Sequence, residues 1–334
     1  MTAHPGAGFG AIALAAYRPD PVLFARQLTS IQRQSVGDFV CIISSDGEPE
    51  RVRKLVAEVT GGDPRFTVIG HEHRVGFYAN FERALRAVPD DAEWVALSDQ
   101  DDLWNPDKLE RLLPLLQDHM IVSGQARVVE FPSGRVIEPS THRRDSDLLA
   151  LVAVNQFSGA MSVFRRAVLD LAMPFPAMPT RVEVHDHWIA VCSAMLGGTA
   201  VVGDVLQDYV QHGGNVLGEV ADQSGRVRPA SAVRTLLAAG RRYEGSSSPI
   251  ALLRALYDMG YGWRAQMTAT LSARITPATA PLSRLQRVFG RATRPAYALS
   301  YLTRGSIHGT SNAIMLAAGR ILHPWLGRRL PPTQ

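Results

Sequence analysis

Four short apolar runs, at residues 10–16, 39–44, 66–69 and 94–98, alternate with segments of helical spacing at 21–34, 50–59 and 80–88. Short strands separated by helices predict a mostly parallel α/β sheet with right-handed crossovers, flanked by helices. In such a sheet ligands gather beyond the carboxyl ends of the strands. Tyr17, Asp46 and Asp99 fall at those ends, so three polar clusters are expected along one edge.

The fourth run, Trp94-Val95-Ala96-Leu97-Ser98, stops in Asp99-Gln100-Asp101-Asp102-Leu103-Trp104. Grouping three carboxylates is costly unless something cationic meets them. A divalent metal held by oxygen ligands, with a phosphate-bearing substrate on its other side, would do so. The alternative is an acidic surface turn leading into a helix. There Asn105 would cap, Pro106 would fill the first turn, and the helix would reach about Gln117, with Asp102 serving its N-terminus.

Further on, residues 120–138 read as a hairpin around Pro132-Ser133-Gly134, and 155–171 as a Gly-centred turn, a strand and a helix. A Pro-rich loop at 174–179 precedes a helix over 184–195, and 203–209 reads as a last short strand. Beyond about 222 the pattern is helical, with breaks such as Gly245-Ser246-Ser247-Ser248-Pro249. The expected division is a domain over 1–220 and a helical, Arg-rich extension over 221–334.

Charge follows the same division. Residues 221–334 hold sixteen Arg, no Lys and three acids, a net of +13 in a chain whose total is +4. A basic extension on an acidic body suggests attraction to a polyanion, either nucleic acid or an anionic membrane face. Cys41 and Cys192 both sit in apolar runs, which fits buried thiols and a reducing compartment. Residues 1–10 carry no basic cluster ahead of an apolar core, and no run reaches the length of a spanning helix.

Several segments, in order, resemble the family 2 glycosyltransferases of GT-A fold, especially the bacterial rhamnosyltransferase-like branch. They are Ala13-Leu14-Ala15-Ala16-Tyr17, Gln27-Leu28-Thr29-Ser30-Ile31-Gln32-Arg33-Gln34-Ser35, Ser45-Asp46-Gly47, Gly76-Phe77-Tyr78-Ala79-Asn80-Phe81-Glu82-Arg83-Ala84-Leu85 and the Ser98–Trp104 stretch. The resemblance covers roughly residues 10–218. It implies that Asp99-Gln100-Asp101 is the family's Asp-x-Asp element, with Asp99 and Asp101 binding Mg²⁺ or Mn²⁺ on a donor diphosphate. It places Asp46 and Tyr17 at the nucleoside, with Ser45 where the family has its first Asp.

The same resemblance makes Asp186, in Glu183-Val184-His185-Asp186-His187-Trp188, the base that takes the acceptor hydroxyl's proton. The alternative for Asp186 is a helix N-cap. His185 and His187 are two apart and would not share a helix face, so a zinc pair is not expected. Gly159, in Phe157-Ser158-Gly159-Ala160, matches the family's Gly loop, where a missing side chain would leave room for a sugar ring. His212, in Gln211-His212-Gly213-Gly214-Asn215-Val216, matches a downstream His that joins the metal or diphosphate; taken alone it is a loop histidine. His71-Glu72-His73 reads as solvated surface.

The implied donor is a nucleoside-diphosphate sugar, dTDP-rhamnose first or a UDP-sugar. The implied acceptor is a lipid-linked or cell-envelope glycan, met in the cytoplasm or on the inner face of the cytoplasmic membrane. In the tail, Leu282, Leu285, Phe289 and Ala292 face one way at helical spacing, and Arg284, Arg287, Arg291 and Arg294 another. Such a helix suits an anionic membrane, or packs on the body with a solvated Arg face. The apolar stretch 313–322 is too short to span a bilayer but could sit at an interface. Nucleic acid is not expected, since no aromatic platform accompanies the arginines. Two other readings are a nucleotidyltransferase, which wants a Gly-rich phosphate loop after the first strand, and a non-catalytic membrane- or polyanion-binding protein.

Overall fold

Strand β1 (Gly10–Ala16) runs between two parallel partners, β2 (Phe39–Asp46) and β4 (Trp94–Ser98), and β3 (Phe66–His71) pairs parallel on the far side of β2. Both neighbours and both faces of β1 are covered, which is why Ala11, Ile12, Ala13 and Leu14 can all be apolar and are all fully buried. Helices α1 (Pro21–Gln32), α2 (Pro49–Thr60) and α3 (Phe77–Arg86) supply the crossovers. This computed structural model describes residues 8–179, 183–213, 241, 245–246, 248–290 and 310–331.

Past the carboxylates the sheet changes character. β5 (Leu103–Trp104), α4 (Lys108–Leu112), β6 (Ile121–Glu130) and β7 (Val136–Glu138) follow in turn. After them come β8 (Ser162–Arg165), α6 (Val168–Ala172), α7 (His185–Leu196) and β9 (Thr199–Gln211), with α5 (Leu148–Ala153) lying between β7 and β8 in sequence. The sheet order is β3-β2-β1-β4-β8-β6-β9-β5, with β7 on β6. β6 and β9 pair parallel, but β4–β8, β6–β8, β6–β7 and β5–β9 are antiparallel. The mostly parallel sheet expected from the sequence is therefore a mixed one. For β6 and β7 the physical reason is connection length: they are joined by the tight turn at 131–135, and only antiparallel strands can be joined that way.

The chain divides into two compact units. One comprises residues 1–145, 156–173 and 185–219, and contains the whole sheet. The other comprises 146–155, 174–184 and 220–334. Its described elements are α5, α8 (Pro249–Tyr257), a π-helical turn (Asp258–Gly262), α9 (Trp263–Arg274), α10 (Ala280–Phe289) and α11 (Thr310–Leu326). Arg264 ties this unit together by donating from Nη2 to the Ala153 carbonyl at 2.7 Å.

In α10 the expected apolar stripe exists, but Leu282, Leu285, Val288 and Phe289 are buried within the unit. That face is used for packing and is not free for a membrane. Arg291, Ala292 and Arg294 lie outside the described residues, as do Gly214, Asn215, Val216 and Ser247. Both cysteines are buried free thiols, and burial pushes the Cys41 thiol up.

Candidate active site

The loop after β4 is held from below by polar residues of α1 and of the turn that follows it. Ser30 Oγ accepts the Trp104 amide at 3.1 Å, and Gln34 Nε2 donates to the Asn105 carbonyl at 2.8 Å. Gln27 accepts from Ser98 Oγ at 2.8 Å through its amide oxygen and donates to the Asp102 carbonyl at 2.9 Å. These contacts explain why polar residues recur on a buried helix face: each satisfies backbone that leaves the sheet. Gln100, between the two outer carboxylates, fastens the loop sideways. Its Oε1 accepts the Tyr17 amide at 2.7 Å and its Nε2 donates to the Tyr17 carbonyl at 3.2 Å.

Asn105 does not cap a helix. Its side-chain amide donates to the Val205 carbonyl at 2.9 Å, Leu103–Trp104 pairs with β9, and α4 begins only at Lys108. Asp102 does not serve a helix N-terminus either. It is fully buried, accepting from Gln207 Nε2 at 3.1 Å and from the Val210 amide at 3.3 Å. Burial raises its carboxyl well above the ordinary carboxylate value, and Asp99 and Asp101 beside it raise it further.

Lys108, which the motif reading missed, answers that cluster. It is fully buried, with Nζ donating to the Gln207 Oε1 at 2.7 Å and to the Ala160 carbonyl, and it stands 3.6 Å from the centre of the Trp104 ring. Gln207 thus bridges Lys108 and Asp102. Burial pulls the Lys108 ammonium well below its usual value, with Asp102 and Asp99 opposing. The available signal was compositional: Lys54 and Lys108 are the only lysines in the chain.

Asp101 and His212 come together, with Nε2 2.8 Å from Oδ2. Among the described residues no three His, Cys, Asp or Glu side chains form a set able to hold a metal ion by themselves. The Asp101 carboxylate suits Mg²⁺ or Mn²⁺, hard ions that take one or two carboxylates and complete their shell with water and substrate phosphates.

At the ends of β1 and β2 the side chains are largely engaged. Ser45 Oγ donates to the Gly47 carbonyl at 2.5 Å, and Asp46 accepts the Val75 and Gly76 amides at 2.6 and 2.9 Å. Asp46 therefore fixes the start of α3. Asn80 and Arg83 on α3 tie back to Ser44 at 2.7 and 2.9 Å. The Tyr17 ring carries the Arg74 guanidinium 4.2 Å above its centre, a cation–π contact that places positive charge beside the strand end.

Gly159 opens a short turn before β8, next to the end of β4. Its amide donates to Asp186 Oδ2 at 3.1 Å, and Asp186 Oδ1 accepts the His187 amide at 2.6 Å in the first turn of α7. The expectation that Gly159 leaves room for a sugar ring needs correction. An added Cβ would stand 2.9 Å from His185 Nε2 and 3.3 Å from Leu97 Cδ1, so the space already belongs to the protein. His185 stacks on Phe81 at 3.8 Å, neither of its ring nitrogens has a hydrogen-bond partner among the described residues, and burial lowers its pKa to about 3. It is a neutral wall of the site. His71 and His73 are exposed, as expected. A shallow groove lined by Trp94, Leu113, Leu116 and Arg165 lies at the other end of β4, away from the carboxylates.

Residues 16–171 match the family described as Glycosyl transferase family 2. That match covers just under half of the chain. An uncharacterized glycosyltransferase of Nostoc sp. (strain PCC 7120) is 24% identical over 200 residues, 57% of this chain and 61% of the relative, so the chain spans less than two thirds of that protein's length. Among solved structures, S. aureus TarS 1-349 in complex with UDP-GlcNAc superimposes with a TM-score of 0.51 at 13% identity, covering 95% of this chain and 91% of TarS. That likeness shows the α/β fold alone. The mannosyltransferase PcManGT from Pyrobaculum calidifontis, in complex with GDP-Man and Mn2+, gives 0.47 at 19% identity, covering 96% and 88%.

Proposed function

We propose that the chain carries a family 2 glycosyltransferase domain, which transfers a sugar, with inversion, from a nucleoside-diphosphate donor to an acceptor hydroxyl, and depends on Mg²⁺ or Mn²⁺. The observation that carries the reading is the Asp101–His212 pair beside the buried Asp102–Gln207–Lys108 network, at the same sheet edge where Asp186 holds Gly159. Asp101 and His212, with Asp99, would hold the metal, which neutralises charge on the departing diphosphate. Tyr17 and Arg74 would flank the nucleoside and its phosphates, and Asp46 would keep their loop in place.

Asp186 would take the proton from the acceptor hydroxyl. The hydroxyl oxygen then bonds to the anomeric carbon from the face opposite the diphosphate, and the carbon–oxygen bond to the diphosphate breaks with its electron pair. The product is an inverted glycoside, a nucleoside diphosphate and a proton left on Asp186. Lys108 would hold Asp102 and the Ala160 carbonyl in place behind this surface. A nucleotidyltransferase is not favoured, because the α1 N-terminus is capped by Asp20, whose Oδ1 accepts the Val22 and Leu23 amides. A carboxylate there excludes a phosphate.

The test is a donor panel of dTDP-rhamnose, UDP-sugars and GDP-sugars with a lipid-linked glycan acceptor, assayed with Mn²⁺, with Mg²⁺ and with chelator. Transfer from one donor that chelator abolishes is the expected result. Pyrophosphate release from a nucleoside triphosphate and a sugar phosphate, with no glycosyl transfer, would replace the reading.

A further inference from the structure

Helix α11 is built inside out. Its buried side holds Arg320 and His323, each 6% exposed, with His323 Nδ1 2.8 Å from the Tyr257 hydroxyl and Arg320 against the Tyr261 ring. Its outward side exposes Ile321 at 60% and Trp325 at 69%, with Pro324 also exposed and Arg328 following. From residue 316 to 327 Arg320 and His323 are the only charged or titratable side chains, and they are buried as deeply as Leu316. Helix α8, which packs against α11, also exposes Ile250 and Leu253. Ile321 and Trp325, four residues apart, share one outward face of α11, and large apolar side chains paired there mark a surface to be covered.

We propose that this face of the C-terminal unit, carried by Ile321 and Trp325, docks on an anionic lipid bilayer. Charge selects the occupant. The chain from residue 221 on has sixteen Arg against three acids, and none of the acids follows Asp258. Arg328 and Arg329 stand directly after α11. A bilayer surface offers what this face lacks, apolar depth beneath anionic headgroups, and tryptophan favours that boundary. Among the described residues no helix is long and apolar enough to cross, so the face would lie in the interface. The proposal goes beyond glycosyl transfer and is read by binding alone.

Trp94, Trp104, Trp188 and Trp263 are buried, which makes Trp325 the outward reporter. The full chain should sediment with phosphatidylcholine vesicles containing about 30% phosphatidylglycerol, less so as salt rises from about 0.1 to 0.5 M. Brominated lipid chains should quench its tryptophan emission. Ile321→Ser combined with Trp325→Ser should cut partitioning about tenfold or more and remove the quenching. Val136→Ser, at an exposed apolar site on β7, should change neither. Both replaced side chains in the double variant are exposed, so its melting temperature should stay in place. No vesicle binding at low salt, or binding that survives the double substitution, overturns the proposal. So does a concentration-dependent dimer that the same substitutions dissociate, since a second copy then covers the face.

Discussion

His212 Nε2 and Asp101 Oδ2 lie 2.8 Å apart although 111 residues separate them along the chain. The β5–β9 pairing makes the meeting possible, because it carries the end of β9 past the loop that bears the carboxylates. If the pair holds a divalent ion together with a diphosphate, either half should be indispensable to that ion. Asp101→Ala and His212→Ala should each remove the Mn²⁺-dependent part of the thermal shift produced by UDP or dTDP, with binding at least about tenfold weaker by calorimetry. An unchanged isotherm would take the pair out of the metal site.

Asp186 accepts two backbone amides and is partly exposed, so its oxygens are oriented and still reachable. Asp186→Asn keeps the shape and removes the proton acceptor. Turnover should fall by about 10²–10⁴ while nucleotide affinity stays near the parent value. A comparable loss in nucleotide binding would assign the residue to the donor instead.

Gly159→Ala places a methyl group 2.9 Å from His185 Nε2 and 3.4 Å from Asp186 Cβ. Relief requires moving one of them, at a cost of about 1–3 kcal/mol. A lowered melting temperature together with lost turnover is expected, and an Ala variant as stable and active as the parent would mean that the turn yields freely.

His185 is neutral in the native chain, with its pKa lowered from 6.5 to about 3 by burial. The unfolded chain binds a proton near 6.5 and the native chain does not. Its contribution is therefore full above pH 6.5 and shrinks as pH falls toward 3, by about 1.4 kcal/mol per unit. Urea unfolding at pH 7 and pH 5 should show about 2 kcal/mol more loss in the parent than in His185→Phe. Equal losses would mean that the ring is solvated.

Lys108→Met keeps the apolar stem against Trp104 but leaves Gln207 Oε1 and the Ala160 carbonyl without their donor. The expected cost is about 3 kcal/mol. Asp102→Asn in the same chain should return part of it, and a double-mutant cycle in chemical denaturation measures the coupling. Additive losses would show that the two groups do not sense each other through Gln207.

Much of the first half of the fold could be read from local pattern, since β1 and β4 begin and end where their apolar runs do. What was missed came from tertiary partners. α3 starts at Phe77, earlier than its periodicity suggests, because Asp46 reaches across from β2 to hold Val75 and Gly76. β9 is 13 residues long, yet Val201–Asp204 is partly exposed and breaks the apolar signal. At the site, the grouped carboxylates were visible as a run of letters, whereas Lys108 and Gln207 are ordinary residues until the sheet brings them beneath Asp102.

The scarcity of lysine has a practical consequence. With 35 basic residues and only two of them lysine, one exposed on α2 and the other sealed under the carboxylates, an acylating reagent meets a single side-chain amine in the closed state. Modification at position 108, followed by mass spectrometry over time, would clock how often the buried layer around Lys108 opens.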